Sequence, residues 1–114
     1  MAFLFVVVND LFFADRLGGA LRHLGHEGLV IDLSMDTLPE VPAATNLAVV
    51  DLEAGEAGLQ AIRDARQKGV PVLAFGPHTD LALREAGLAA GADKVVAKSK
   101  LTTSFPELIN EMVQ

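Results

Sequence analysis

Three apolar runs in this chain each end in a residue suited to phosphoryl chemistry. Phe3 to Val8 leads into Asn9 and Asp10, Leu47 to Val50 ends at Asp51, and Val95 to Ala97 ends at Lys98. A carboxylate can accept or hold a phosphoryl group, a second carboxylate can hold a divalent metal, and an ammonium can neutralise the charge between them. Strand ends of a parallel α/β sheet meet at one edge, where ligands bind. Each residue also has an ordinary use: Asp10 as a helix cap, Lys98 as a solvated side chain beside Lys100. Their order and spacing favour one shared site over coincidence.

The elements that must position these residues follow from periodicity. Phe3 to Val8 has the length and continuous apolar character of a strand buried on both faces. Phe13, Leu17, Leu21 and Leu24 recur at helical spacing and predict a helix from about Phe12 to His26, interrupted by Gly18 and Gly19, with Gly25 and Gly28 marking its exit. Leu29 to Leu33 and Leu47 to Leu52 read as the next strands. The intervening Ser34 to Asn46 contains Pro39 and Pro42, so it predicts a loop with at most one helical turn.

The remainder alternates regularly. A helix is expected over Glu56 to Gln67, with Leu59, Ile62 and Ala65 inward. A strand over Pro71 to Phe75, a helix over Asp80 to Ala90 and a strand over Lys94 to Ala97 follow. One terminal helix closes the chain, with Ser104 and Glu107 at capping-box spacing, Pro106 in the first turn, and Leu108, Ile109 and Met112 toward the core. The expected fold is a three-layer, doubly wound, five-stranded parallel sheet of flavodoxin-like order 2-1-3-4-5, with a shortened or missing second helix. Residues 1–114 are expected to form one domain.

Composition narrows the function. The net charge of −6, with nine scattered basic residues, disfavours nucleic acid. Arg63, Arg66 and Lys68 come closest to a basic patch and read as a solvated helix face. The chain has no Cys, which excludes disulfides and thiolate catalysis and fits a reducing, cytoplasmic setting. No run approaches the roughly 20 apolar residues of a membrane span. The N-terminal run lacks the basic flank and cleavage site of a signal peptide.

Asn9-Asp10, Asp51, Lys98 and the segment Gly91-Ala92-Asp93-Lys94-Val95-Val96-Ala97-Lys98 together resemble the receiver domains of bacterial response regulators over nearly the whole chain. The resemblance implies Asp51 as phosphoacceptor and Lys98 as the residue that neutralises the phosphoryl group. It also implies an Mg²⁺ site from Asp10, Asp51 and the Glu53 backbone carbonyl, with Asn9 acting through water. The pattern departs from the family at Gly76, where receivers carry a hydroxyl, and at Pro77, which has no N–H to donate. It departs again at Val95 in place of an aromatic residue, at Ser99 in place of a Pro, and at Ala54-Gly55.

These departures remove the usual readout and point to a stand-alone pseudo-receiver. Such a module would work in two-component signalling or a phosphorelay by binding a protein partner, a sensor kinase or effector, with a homodimer through the last helix and its neighbouring strand. It would not be an enzyme. The alternative is a small-molecule or anion-binding module that uses the same crevice, with Lys98, Gly76, His78 and the start of the Asp80 helix as contacts. His78 itself reads first as a turn residue before a helix capped by Thr79 or Asp80. His23 and His26, near the end of the first helix, receive no role.

Overall fold

The computed structural model describes residues 1–113. Its centre is a five-stranded parallel sheet of order β2-β1-β3-β4-β5. The strands are β1 (Phe3–Val8), β2 (Glu27–Asp32), β3 (Leu47–Asp51), β4 (Val72–Gly76) and β5 (Lys94–Ala97). The helices are α1 (Leu11–His23), α2 (Glu56–Gln67), α3 (Leu81–Ala90), α4 (Lys98–Thr103) and α5 (Phe105–Met112), and a 3₁₀ turn spans Leu52–Ala54.

Strand alternation creates two cores. Leu4, Val6, Val8, Leu47, Val49, Leu73 and Phe75 point to one face, where they meet Phe13, Leu17 and Leu21 of α1, Leu101 of α4 and the apolar stripe of α5. Phe5, Val7, Ala48, Val50, Val72 and Ala74 point to the other, against Ala61, Ile62 and Ala65 of α2. Of the inward residues expected on α2, Ile62 and Ala65 are buried, and Leu59 is half-buried at the margin. All five residues of β3 and all five of β4 are buried, as a central parallel strand requires.

The β2–β3 connection has no helix, as Pro39 and Pro42 imply. Leu33, Leu38 and Val41 cover the sheet face a helix would otherwise occupy, and Lys68 Nζ donates to the Val41 carbonyl at 2.7 Å. Arg63, Arg66 and Lys68 are ion-paired with Glu56, Asp93 and Glu40 at the surface, which matches a solvated helix face.

Three expectations need correction. Helix α1 ends at His23, short of His26, and β2 begins at Glu27. Gly28, read from sequence as a breaker, lies inside β2 because a Cβ there would sit 2.7 Å from the Leu4 carbonyl oxygen. The terminal region holds two helices rather than one. The first, α4, is short and polar, and its Thr102 and Thr103 hydroxyls donate to the Ser99 carbonyl at 2.9 and 3.0 Å. The capping box at Ser104 does not form: its side chain caps nothing. Ser104 is shared between two helices, and its own N–H donates back to the Lys100 carbonyl at 2.9 Å.

Among the described residues no helix is long and apolar enough to cross a membrane.

Candidate functional site

Asp51 is the last residue of β3, between β1 and β4, and is 2 % exposed. Parallel pairing sets Val7 beside Val50 and Asp51 beside Phe75, so the acidic side chain emerges where β1 passes into Asn9 and Asp10. Asp51 Oδ1 accepts the Glu53 N–H at 2.8 Å, which starts the 3₁₀ turn. Burial pushes the Asp51 carboxyl above the ordinary aspartate range. The Glu53 N–H opposes this, the Glu53 carboxylate reinforces it, and Lys98 and the Asn9 backbone N–H oppose it more weakly. Asp51, Lys98, Asn9 and Glu53 therefore share one electrostatic environment, with the exposed Glu53 side chain at its mouth.

Lys98 begins α4 directly after β5. Its Nζ lies over the Phe13 ring, 4.3 Å from the centroid, and Phe13 packs against Phe75 with ring centroids 5.4 Å apart. This cation–π contact gives the ammonium a partner without a salt bridge. The four ion pairs among the described residues do not include Lys98. Asp10 caps α1, its Oδ1 accepting the Phe12 N–H at 2.9 Å.

The remaining candidates separate. Asp10 and Lys98 line a cleft of about 420 Å³ between α1 and α4. Gly76 and His78 line a different cavity of about 160 Å³, together with Arg84, which donates to the Val95 carbonyl at 3.0 Å. His78 is exposed in the turn before α3, and Asp80 caps that helix by accepting the Leu83 N–H at 3.0 Å. Leu52 borders Gly76, and a Cβ added there would meet the Leu52 Cβ at 3.5 Å, an ordinary van der Waals contact, so the backbone leaves room for a side chain at this position.

The groups that the sequence pattern implies for a metal, Asp10, Asp51, the Glu53 carbonyl and Asn9, would offer oxygen donors, the chemistry preferred by a hard divalent cation such as Mg²⁺. The set has two carboxylates. No group of three His, Cys, Asp or Glu side chains suited to a metal converges among the described residues.

Sequence reasoning missed Arg16, Phe12 and the contact of Phe13 with Lys98. Phe12 and Arg16 stand four residues apart on α1, a spacing that puts them on one face beside Asp10. That signal was available once Asp10 was placed at the helix start.

Solved structures with the same architecture include response-regulator receivers. A receiver protein from Burkholderia phymatum superposes with a TM-score of 0.76 at 22% identity, over 98% of this chain and 94% of that one. The chain has the receiver fold. Vibrio cholerae chemotaxis protein CheY4 shares the fold with a TM-score of 0.75 at 14% identity, over 99% of both chains. A Burkholderia pseudomallei response regulator, solved with a phosphorylated aspartic acid and a calcium ion, gives 0.67 at 20% identity, over 97% of this chain and 72% of that one. No family model and no curated protein matches the sequence. Within the receiver fold, Asp51 lies at the end of the central strand and Lys98 just beyond β5, as the sequence pattern implies.

Proposed function

We propose that this protein is a receiver-like signalling module that acts by binding a protein partner, and that Asp51 keeps the acceptor position while the readout from it is lost. The observation that carries this reading is the setting of Asp51: a carboxylate at the end of the central strand, 2 % exposed, with Lys98 and backbone N–H groups around it. Such a group can be phosphorylated in line by a small or protein-borne phosphoryl donor. One Asp51 oxygen forms the new O–P bond as the donor's leaving group departs with its electron pair. Catalysis of that step asks for positioning and charge neutralisation more than covalent chemistry.

Lys98 would turn from the Phe13 ring to a phosphoryl oxygen, while the Glu53 N–H keeps the carboxylate oriented. Mg²⁺ would be held by Asp10, Asp51 and the Glu53 carbonyl, with Asn9 through water, and would supply neutralisation of the phosphoryl oxygens. A response regulator of the same fold from B. pseudomallei was solved with a calcium ion, which supports a divalent cation here. The phosphoryl group would then find no hydroxyl at Gly76 and no aromatic residue at Val95 to move. Signalling would rest on the binding surface itself. Edge strand β5 and helix α5 are its candidate, for a kinase, an effector or a second copy of the chain.

The reading is of a signalling module in place of an enzyme, expected in the bacterial cytoplasm. Incubation with acetyl phosphate and Mg²⁺ tests the acceptor role. Intact-mass measurement should show the gain of one phosphoryl group in the wild type and none in Asp51→Asn. An unmodified wild type, or equal labelling of both proteins, contradicts the role.

A further inference from the structure

The cleft between α1 and α4 contains groups that phosphorylation of Asp51 does not use. Arg16 is exposed on α1 and lines the cleft opposite Lys98. None of the four ion pairs among the described residues engages either cation. In a chain of net charge −6, two cations outside any ion pair line one cleft, a local excess of positive charge. Phe12 lines the same cleft and is 85 % exposed, although an aromatic ring of that size ordinarily contributes by burial. Asp10 also lines it as the one carboxylate, its Oδ1 accepting the Phe12 N–H, and the two cations outnumber it. Thr102 directs its hydroxyl proton to the Lys98 and Ser99 carbonyls, which leaves its oxygen lone pairs rather than a donor for the cleft. The anion-binding groups are therefore Arg16 and Lys98.

We propose that this cleft binds a planar organic monophosphate, with the phosphate between Arg16 and Lys98 and the ring laid on Phe12. An arginine fork and a lysine point charge suit a phosphate dianion. A flat ring stacked on Phe12 buries the most exposed aromatic face near the site, and such stacking tolerates many ring types. A volume of about 420 Å³ lies in the usual range for small-ligand clefts. The convergence of two cations and one ring in a concavity favours a small ligand over the flatter contact of a protein face. The proposal shares Lys98 with the proposed acceptor chemistry and adds Arg16 and Phe12, which that chemistry does not use, so variants at Arg16 and Phe12 test it apart from phosphorylation of Asp51.

The test is an NMR titration of the labelled protein with 5′-AMP, phenyl phosphate and inorganic phosphate. AMP and phenyl phosphate should saturate, with Kd of about 1 mM or tighter, and shift Phe12, Arg16 and Thr102 most. Arg16→Gln should weaken both at least about tenfold. Phe12→Ala should weaken AMP and phenyl phosphate while leaving inorganic phosphate unchanged. Both residues are exposed, so these variants keep the fold. Three results would overturn the proposal: no saturation by either ring-bearing probe, unchanged binding in Arg16→Gln, or shifts centred on Asn9 and Glu53 in place of Phe12 and Arg16.

Discussion

On the proposed reading two demands conflict at Asp51: an acceptor must be shielded, and a shielded carboxylate is costly to ionise. Burial raises its pKa in the folded state above the unfolded reference of 3.8. The folded chain therefore binds this proton more tightly than the unfolded chain does. That stabilisation is fully present below about pH 4 and is lost as pH rises through the raised folded value. Asp51→Asn keeps an oxygen to accept the Glu53 N–H and removes the charge. It should raise the unfolding temperature near pH 7, with the gain shrinking toward about pH 4, as thermal unfolding at the two pH values would reveal. A gain independent of pH would place the effect elsewhere. The strand-end positions of Asp51 and Lys98 were legible because each ends an apolar run. The direction of Lys98 was not legible. Its contact with Phe13 depends on a rotamer and on the packing of α1 against β4, which spacing does not encode.

At the scale of elements, Asp51 is held by a close backbone approach that only a small residue permits. Gly58, in the first turns of α2, is that residue: a Cβ there would lie 2.9 Å from the Asp51 carbonyl oxygen and 3.2 Å from Ala54 Cβ. Gly58→Ala should push α2 from the strand end and destabilise the protein by about 1–3 kcal/mol in denaturant unfolding. A change within about 0.5 kcal/mol, ordinary for a surface site, would mean that α2 is not pinned there. Long periodic elements such as α2 and the continuous apolar strands were readable from sequence. Helix α4 was not, because Leu101 is its one buried residue and Ser99, Thr102 and Thr103 carry no apolar period. Ser104 and Glu107 have the spacing of a capping box, yet the turn of the chain out of α4 leaves Ser104 with other backbone obligations. Gly28 misled for a related reason: a glycine can mark a close strand pairing as well as a break.

For the whole molecule, the two cores share one sheet, so a defect on either face should be felt by both. Ile62 on α2 and Ile109 on α5 are fully buried on opposite faces. Ile62→Ala and Ile109→Ala should each cost about 2–5 kcal/mol and lower one common transition, followed by helical circular dichroism and by tertiary NMR signals. Separate transitions for the two faces would contradict a single cooperative sheet. The strand order was legible at this scale, since alternating strands and helices with right-handed crossovers leave few topologies. The division of the crevice into an α1–α4 cleft and a β4–α3 cavity was not, because it is set by where Leu52 and Phe13 pack. The central claim is an acceptor that persists after its readout is lost. Titration of the labelled protein with Mg²⁺ and then beryllofluoride, with Asp51→Asn as control, tests it most directly. The account predicts saturable NMR shifts around Asp10, Asp51 and Lys98, absent in the control, with Arg84 and Val95 unmoved. A flat titration, or shifts that spread through Val95 and α3, would contradict it.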